Sequence, residues 1–181
     1  MREERTLESK LVYEGRQVNL RVDTVVLPSG RKTTREVVEH VDCAAVVALD
    51  SEDNVLLVRQ FRKPAERVLL EIPAGGIEPG EQPIQCALRE LEEETGYIAG
   101  KLERLGGFYS SPGFCTEYLY LFLATELQKG ASGAEEDEAI EVVPLPLAEI
   151  PNLISSGEIC DAKSIAGFFA LLRYRGANPF A

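Results

Sequence analysis

Gly75-Gly76-Ile77-Glu78-Pro79-Gly80-Glu81, with the run PIQCALRELEEETGY from Pro83 to Tyr97, decides how the rest of the chain is read. Glycines at 75, 76 and 80 and Pro79 interrupt regular structure and impose a loop. Pro83 suits a first helical position, where its missing N–H is harmless, and Gly96 suits the stop. Good helix formers lie between them, so a helix is predicted from Pro83 to about Thr95. At about 100° per residue, Ile84, Ala87, Leu88 and Leu91 cluster on one side and are expected to face a sheet. Glu90, Glu93 and Glu94 share an arc on roughly the opposite side, and Glu92 points away from them.

Like charges three and four residues apart repel by a few tenths of a kcal/mol each in water, and more where solvent is excluded. A cation would offset this. Carboxylate ligands with no histidine or cysteine nearby favour the hard ions magnesium, manganese or calcium over zinc, magnesium first and manganese as a substitute. An acidic run is ordinarily a solvated helix face. Here the preceding loop adds glycines that let backbone approach a phosphate or an ion closely. A P-loop is excluded, because neither a Gly-Lys-Ser/Thr ending nor GxGxxG spacing is present, and EF-hand spacing is absent too.

Working outward, Val68 to Ile72 reads as a strand ended by Pro73, and Cys43 to Leu49 as a buried central strand turning through Ser51–Asn54 into Val55–Gln60. Residues 8 to 42 read as hairpins: Lys10–Tyr13, Val18–Leu27, a Pro28-Ser29-Gly30 turn, then Thr33–Val41. After the helix come strand material at Phe108–Ser110 and Glu117–Leu127, an acidic loop over Gln128–Asp137, and a strand over Ala139–Val143. Helices are expected over Leu147–Ile154 and Ala162–Tyr174, the latter with Ile165, Phe168, Phe169 and Leu172 on one face.

The 181 residues, 45% of them hydrophobic, fit one sizeable core with a small extension. No apolar run approaches a bilayer's thickness, and the charged N-terminus Met1-Arg2-Glu3-Glu4-Arg5 does not read as a secretory signal, so a cytoplasmic protein is expected. Four scattered cysteines and the single His40 indicate neither a zinc site nor a disulfide framework, and His40 is given no catalytic role. A net charge of -11 argues against nucleic-acid binding but allows an anionic small molecule held through divalent cations.

Written out, Gly75, five residues, Glu81, seven residues, then Arg89-Glu90-Leu91-Glu92-Glu93-Glu94-Thr95-Gly96-Tyr97 resembles the Nudix box in register, with Tyr97 where an aliphatic residue is usual. The resemblance implies a Nudix-type α/β/α sandwich on a mixed β-sheet, with an N-terminal antiparallel β extension. It implies residues 1–42 as that extension, a dimerisation element, and 43–181 as the hydrolase domain. Glu71-Ile72-Pro73-Ala74-Gly75, Gln60-Phe61-Arg62 and Ser111-Pro112-Gly113-Phe114 are similar to the ADP-ribose pyrophosphatase branch, Pro112 standing at that branch's marker proline. The implied reaction is Mg2+-dependent hydrolysis of the pyrophosphate of ADP-ribose, or of a related nucleoside diphosphate sugar, by a homodimer.

By position, the resemblance implies Glu90, Glu94 and the Ala74 carbonyl as metal ligands, and Glu93 as a further ligand or supporting catalytic group. It implies Glu136 as the base and Glu138 as another ligand, in a tetrad that composition alone reads as a solvated loop. Arg89 is expected to orient carboxylates by pairing with Glu93 or Glu71. Arg62, and Arg35 with Glu36, are candidates for substrate phosphate, ribose or adenine, or for surface ion pairs. Gly76 and Pro112 complete the substrate set with Phe114, which could stack on a base or belong to core. Other readings are a Nudix pyrophosphatase of a dinucleotide or an oxidised nucleotide, and a silent nucleotide-sensing module, which would have no need of the retained carboxylates.

Overall fold

The structure is a computed structural model that describes residues 3–130 and 140–176. Strand β4 (Cys43–Leu49) is its centre: every residue is buried, as a continuously apolar run predicts. Its alternate residues feed two cores. Cys43, Ala45, Val47 and Leu49 join one with Ile150, Ile159, Phe168 and Leu171, whereas Ala44, Val46 and Ala48 join the other with Cys86, Ala87 and Leu91. Period-two alternation along a doubly buried strand thus separates a layer of helix on each face, giving the α/β/α sandwich.

Around β4 the sheet runs β10 (Glu141–Pro146), β5 (Asn54–Arg62), β4, β9 (Tyr118–Lys129), β8 (Tyr97–Tyr109). Strand β6 (Arg67–Glu71) pairs with β5, and β7 (Ala74–Gly76) with β4. The sheet is mixed: β4 is antiparallel to β5 and β7 and parallel to β9. Pro144 and Pro146 fall in β10, at the sheet's edge, where a missing N–H is tolerated. Helix α1 (Pro83–Thr95) covers one face; α2 (Ile150–Ser156) and α3 (Ala162–Tyr174) belong to the other. No helix among the described residues is long and apolar enough to cross a membrane.

The chain divides into two units, residues 1–42 with 109–118, and residues 43–108 with 119–181. The first holds an antiparallel sheet of β1 (Arg5–Glu14), β2 (Asn19–Val26) and β3 (Lys32–Glu39) in that order. Here Val38 N–H donates to the Phe114 carbonyl at 2.7 Å, and Thr116 N–H to that of Val38 at 3.0 Å.

Three expectations are corrected. The buried face of α1 is Cys86, Ala87, Leu91, Glu94 and Thr95, while Ile84 is 48% and Leu88 37% exposed. The helix is rotated from the purely apolar prediction because β7 and the loop after it lie under the carboxylate side, so Glu94 points inward. In α3 the buried residues are Ser164, Gly167, Phe168 and Leu171, and Phe169 is exposed: small residues let the helix sit close to the sheet. Strand β8 begins at Tyr97, directly after the helix stop, where the glycine- and charge-rich sequence gave little strand signal.

Candidate active site around the helix of glutamates

Helix α1 starts and stops as its sequence predicts. Pro83 occupies its first turn, Gln82 N–H donates to Gln85 Oε1 at 3.0 Å, and Gly96 closes it at φ 72° with its N–H on the Glu92 carbonyl at 2.7 Å. These ends fix the register that sets each glutamate's direction.

Glu94 is 7% exposed, and its Oε2 accepts the Ala74 N–H at 3.0 Å. Burial pushes its carboxyl up to about 8; Glu90 pushes the same way, against the Ala74 hydrogen bond and the more distant Arg62 and Lys163. Glu90 lies directly over Gly75, where any Cβ would overlap its carboxyl group. Only glycine at 75 therefore lets Glu90 keep this position. Glu93 lies farther out, its side chain 45% exposed.

Arg89 ties these acids together. Its Nε and Nη2 donate to the two Glu81 oxygens at 2.9 and 3.1 Å, and Nη1 to Glu90 at 2.6 Å and to Glu93 at 2.9 Å. Nη2 also reaches the Gly76 carbonyl at 3.0 Å. Hydrogen bonding to Glu81 leads the causes that raise the Arg89 pKa, so it is a fixed cation. Glu81 in turn accepts the Glu78 N–H at 2.9 Å, which folds the loop back on itself around Gly80.

Among the described residues the ligating atoms here are carboxylate and carbonyl oxygens beside the Cys86 thiol, and the buried Glu94, next to the part-buried Glu90, carries a charge whose cost a divalent cation or a proton would relieve. The residues present therefore fit a hard divalent ion.

The NUDIX domain model matches residues 39–168, and that of the nucleoside diphosphate sugar hydrolase N-terminal domain matches residues 4–38. The chain belongs to the Nudix family. An ADP-ribose pyrophosphatase of Bacillus subtilis (strain 168) is 44% identical over 164 residues, 90% of this chain and 89% of that one. A methanol dehydrogenase activator of Bacillus methanolicus is 43% identical over 165 residues, again 90% and 89%. A crystal structure of an ADP compounds hydrolase superposes with a TM-score of 0.85 at 22% identity, covering 98% of each chain, which supports the Nudix fold.

Ala74, just before the Nudix box, and Gly76, Arg89, Glu90, Glu93 and Glu94 within it come together with Glu81. Arg89 takes Glu93 but not Glu71, which is engaged elsewhere. Glu71 is 1% exposed; burial would raise its pKa, and the Arg62 fork and Lys163 overcome that and hold it low. Arg62 Nη2 donates to Glu71 at 2.7 Å and keeps a half-exposed guanidinium. Glu136 and Glu138 lie outside the described residues.

In the N-terminal unit, Arg35 donates to Glu4 at 2.6 and 3.0 Å, and Glu36 stands beside it in β3 opposite Val22. Pro112 and Phe114 sit in a turn where Phe114 N–H donates to the Ser111 carbonyl at 3.1 Å, with the Phe114 ring 57% exposed. Exposure of that ring removes the core reading.

Two contributors went unread in the sequence. Cys86 directs its thiol at the Gly75 and Gly76 carbonyls, 3.6 and 3.4 Å away, and burial pushes it up to about 12, so it stays protonated. A lone helical cysteine carries no signal of this. Lys163 reaches Glu71 from 92 residues downstream, a pairing that no local spacing announces.

Proposed function

We propose that this protein hydrolyses the pyrophosphate bond of ADP-ribose, giving AMP and ribose 5-phosphate, with Mg2+ as its ion. A closely related nucleoside diphosphate sugar is the second substrate class. The observation that carries the chemistry is the placement of Glu90 and Glu94 against Ala74 and Gly75. The match to a nucleoside diphosphate sugar hydrolase N-terminal domain, and the Bacillus subtilis relative's name, support the substrate.

Glu90, Glu94 and the Ala74 carbonyl would hold the ion, with Glu93 at its outer edge. When bound, a divalent ion neutralises phosphate charge and makes water more acidic. Arg89 fixes the direction of Glu90 and Glu93, so that the site need not reorganise when substrate arrives. The bare backbone at Gly75 and Gly76 leaves room for a pyrophosphate beside the helix. Glu136 is assigned as the base that takes the proton of the attacking water, and Glu138 as a further ligand, on the resemblance alone. The half-exposed Arg62 guanidinium suits a phosphate, and the exposed Phe114 ring beside Pro112 suits an adenine. Arg35 and Glu36 are assigned to the ribose or adenine.

The test is turnover of ADP-ribose, GDP-mannose, NAD and an oxidised nucleoside triphosphate with Mg2+, with product identification. AMP and ribose 5-phosphate from ADP-ribose is the expected result; no turnover across the panel overturns the reading. NAD stands for the dinucleotide class.

Residues 1–42 are assigned to pairing with a second copy. Strand β1 is an edge exposed along its length, with Leu7, Leu11, Val12 and Tyr13 each more than 40% exposed. Apolar edge strands of this length are ordinarily covered. Light scattering is expected to give twice the 19.9 kDa chain mass, and a monomer at micromolar concentration removes the assignment.

A further inference from the structure

We propose that Lys163 and Ser164, in the first turn of α3, are positioning residues that hold the metal-binding backbone at Ala74 in place for Glu94. This rests on the reading of Glu90, Glu94 and Ala74 as the ion's ligands. Asp161 caps α3, accepting the Ser164 N–H at 3.1 Å, and Lys163 Nζ donates to the same oxygen at 3.0 Å. That cap aims the lysine back toward the sheet, where it donates to Glu71. The Ser164 hydroxyl, fully buried, accepts the Ile72 N–H at 2.9 Å. Gly167 lets the helix close on this segment: a Cβ there would stand 3.0 Å from both Ile72 Cδ1 and Val47 Cγ2.

The grip continues residue by residue toward the site. Glu71 and Ile72 are held by α3, the Pro73 carbonyl accepts the Val46 N–H at 2.9 Å, and Ala74 N–H donates to Glu94 at 3.0 Å. Glu71 already has the Arg62 fork as counter-ion. Lys163 is also the cation of Asp161, and with only 14% of its side chain exposed it loses hydration to reach both acids. What Lys163 adds is direction: it pins Glu71 from the helix side while Arg62 pins it from the strand side. Partners one step removed from metal ligands commonly set affinity in this way.

The measurement is calorimetric titration of the full-length, metal-free protein with Mn2+ alone. Lys163→Met leaves Glu71 paired with Arg62, and Ser164→Ala keeps the charges intact. Each is expected to weaken Mn2+ binding roughly tenfold. Arg175→Ala, which breaks the exposed pair with Asp53 at the other end of α3, is expected to leave affinity within about twofold. The direction of change excludes a plain charge effect, because removing a nearby positive charge would by itself tighten cation binding. Unchanged or tighter binding by Lys163→Met overturns the proposal; if that variant does not fold, Ser164→Ala decides by the same criterion. Glu94→Gln separates the two readings. If it binds Mn2+ like the wild type, the ligand assignment fails and this inference with it; if it loses binding while Lys163→Met and Ser164→Ala do not, only the positioning role fails.

Discussion

Glu94→Gln is expected to lose roughly a thousandfold or more in kcat, equivalent to about 4 kcal/mol of barrier, and to be more stable than the wild type when both are metal-free. The two effects have one cause. In the folded protein burial raises the carboxyl to about 8 from an ordinary value of 4.5, so the fold holds a proton that the unfolded chain releases. Stability contributed by this group is therefore complete below about pH 4.5, falls as pH rises, and is lost by about pH 8. At pH 7 the penalty is up to about 3 kcal/mol. Glutamine still accepts the Ala74 N–H and carries no charge, so it escapes the penalty. Thermal unfolding in chelator should show the variant several degrees above wild type near pH 8, with the difference closing toward pH 4.5. Mg2+ should restore the wild type and not the variant, since a ligand specific to the folded state adds its binding energy only where it binds. A variant that keeps its activity removes Glu94 from the ligand set, and equal stabilities at pH 8 remove the burial argument. Glu92→Gln is the control. Its carboxylate faces the Gly130 side of the helix, and turnover is expected to stay within about twofold.

The contrast between Glu92 and Glu94 shows how far sequence carries. Spacing alone separated Glu92 from the three converging acids, because helical geometry fixes angular order once Pro83 and Gly96 mark the ends. Of the expected inward face, Ala87 and Leu91 are buried, but Ile84 and Leu88 are exposed, because β7 lies under Glu90 and Glu94 and turns the helix toward that side. The buried strand Cys43–Leu49 was legible since a doubly covered strand is apolar throughout, but which residue feeds which core follows only from the sheet. Of the two partners expected for Arg89, the structure has Glu93, and Glu71 belongs to Arg62 and Lys163, the latter separated from it by 92 residues. Long-range polar pairs of this kind leave no periodic trace, so nothing in the local sequence announces Lys163 or Ser164.

Gly75→Ala is expected to abolish most activity while leaving the fold nearly intact. Gly75 has no left-handed backbone requirement, so its glycine is not explained by a turn. The constraint is the space beyond its Cα, which the Glu90 carboxyl group fills. A methyl group there must displace that carboxyl, and the side chain is long enough to swing away at modest energetic cost. Swinging breaks the 2.6 Å contact with Arg89 and takes Glu90 away from Glu94. Activity should fall roughly a hundredfold, as a shift of about 1 Å in a catalytic constellation commonly costs, whereas the melting temperature should move by only a few degrees. Mn2+ titration should show weaker binding than wild type. A stable, active Gly75→Ala protein would mean that Glu90 need not sit over residue 75 to work. A variant that fails to fold would instead assign Gly75 to packing, through the neighbouring Gly75–Ala44 register of β7 on β4. Between those outcomes, loss of function without loss of fold is the signature of a carboxylate held for chemistry, because a purely structural acid at this place would be released by the methyl group and repel Glu94 less.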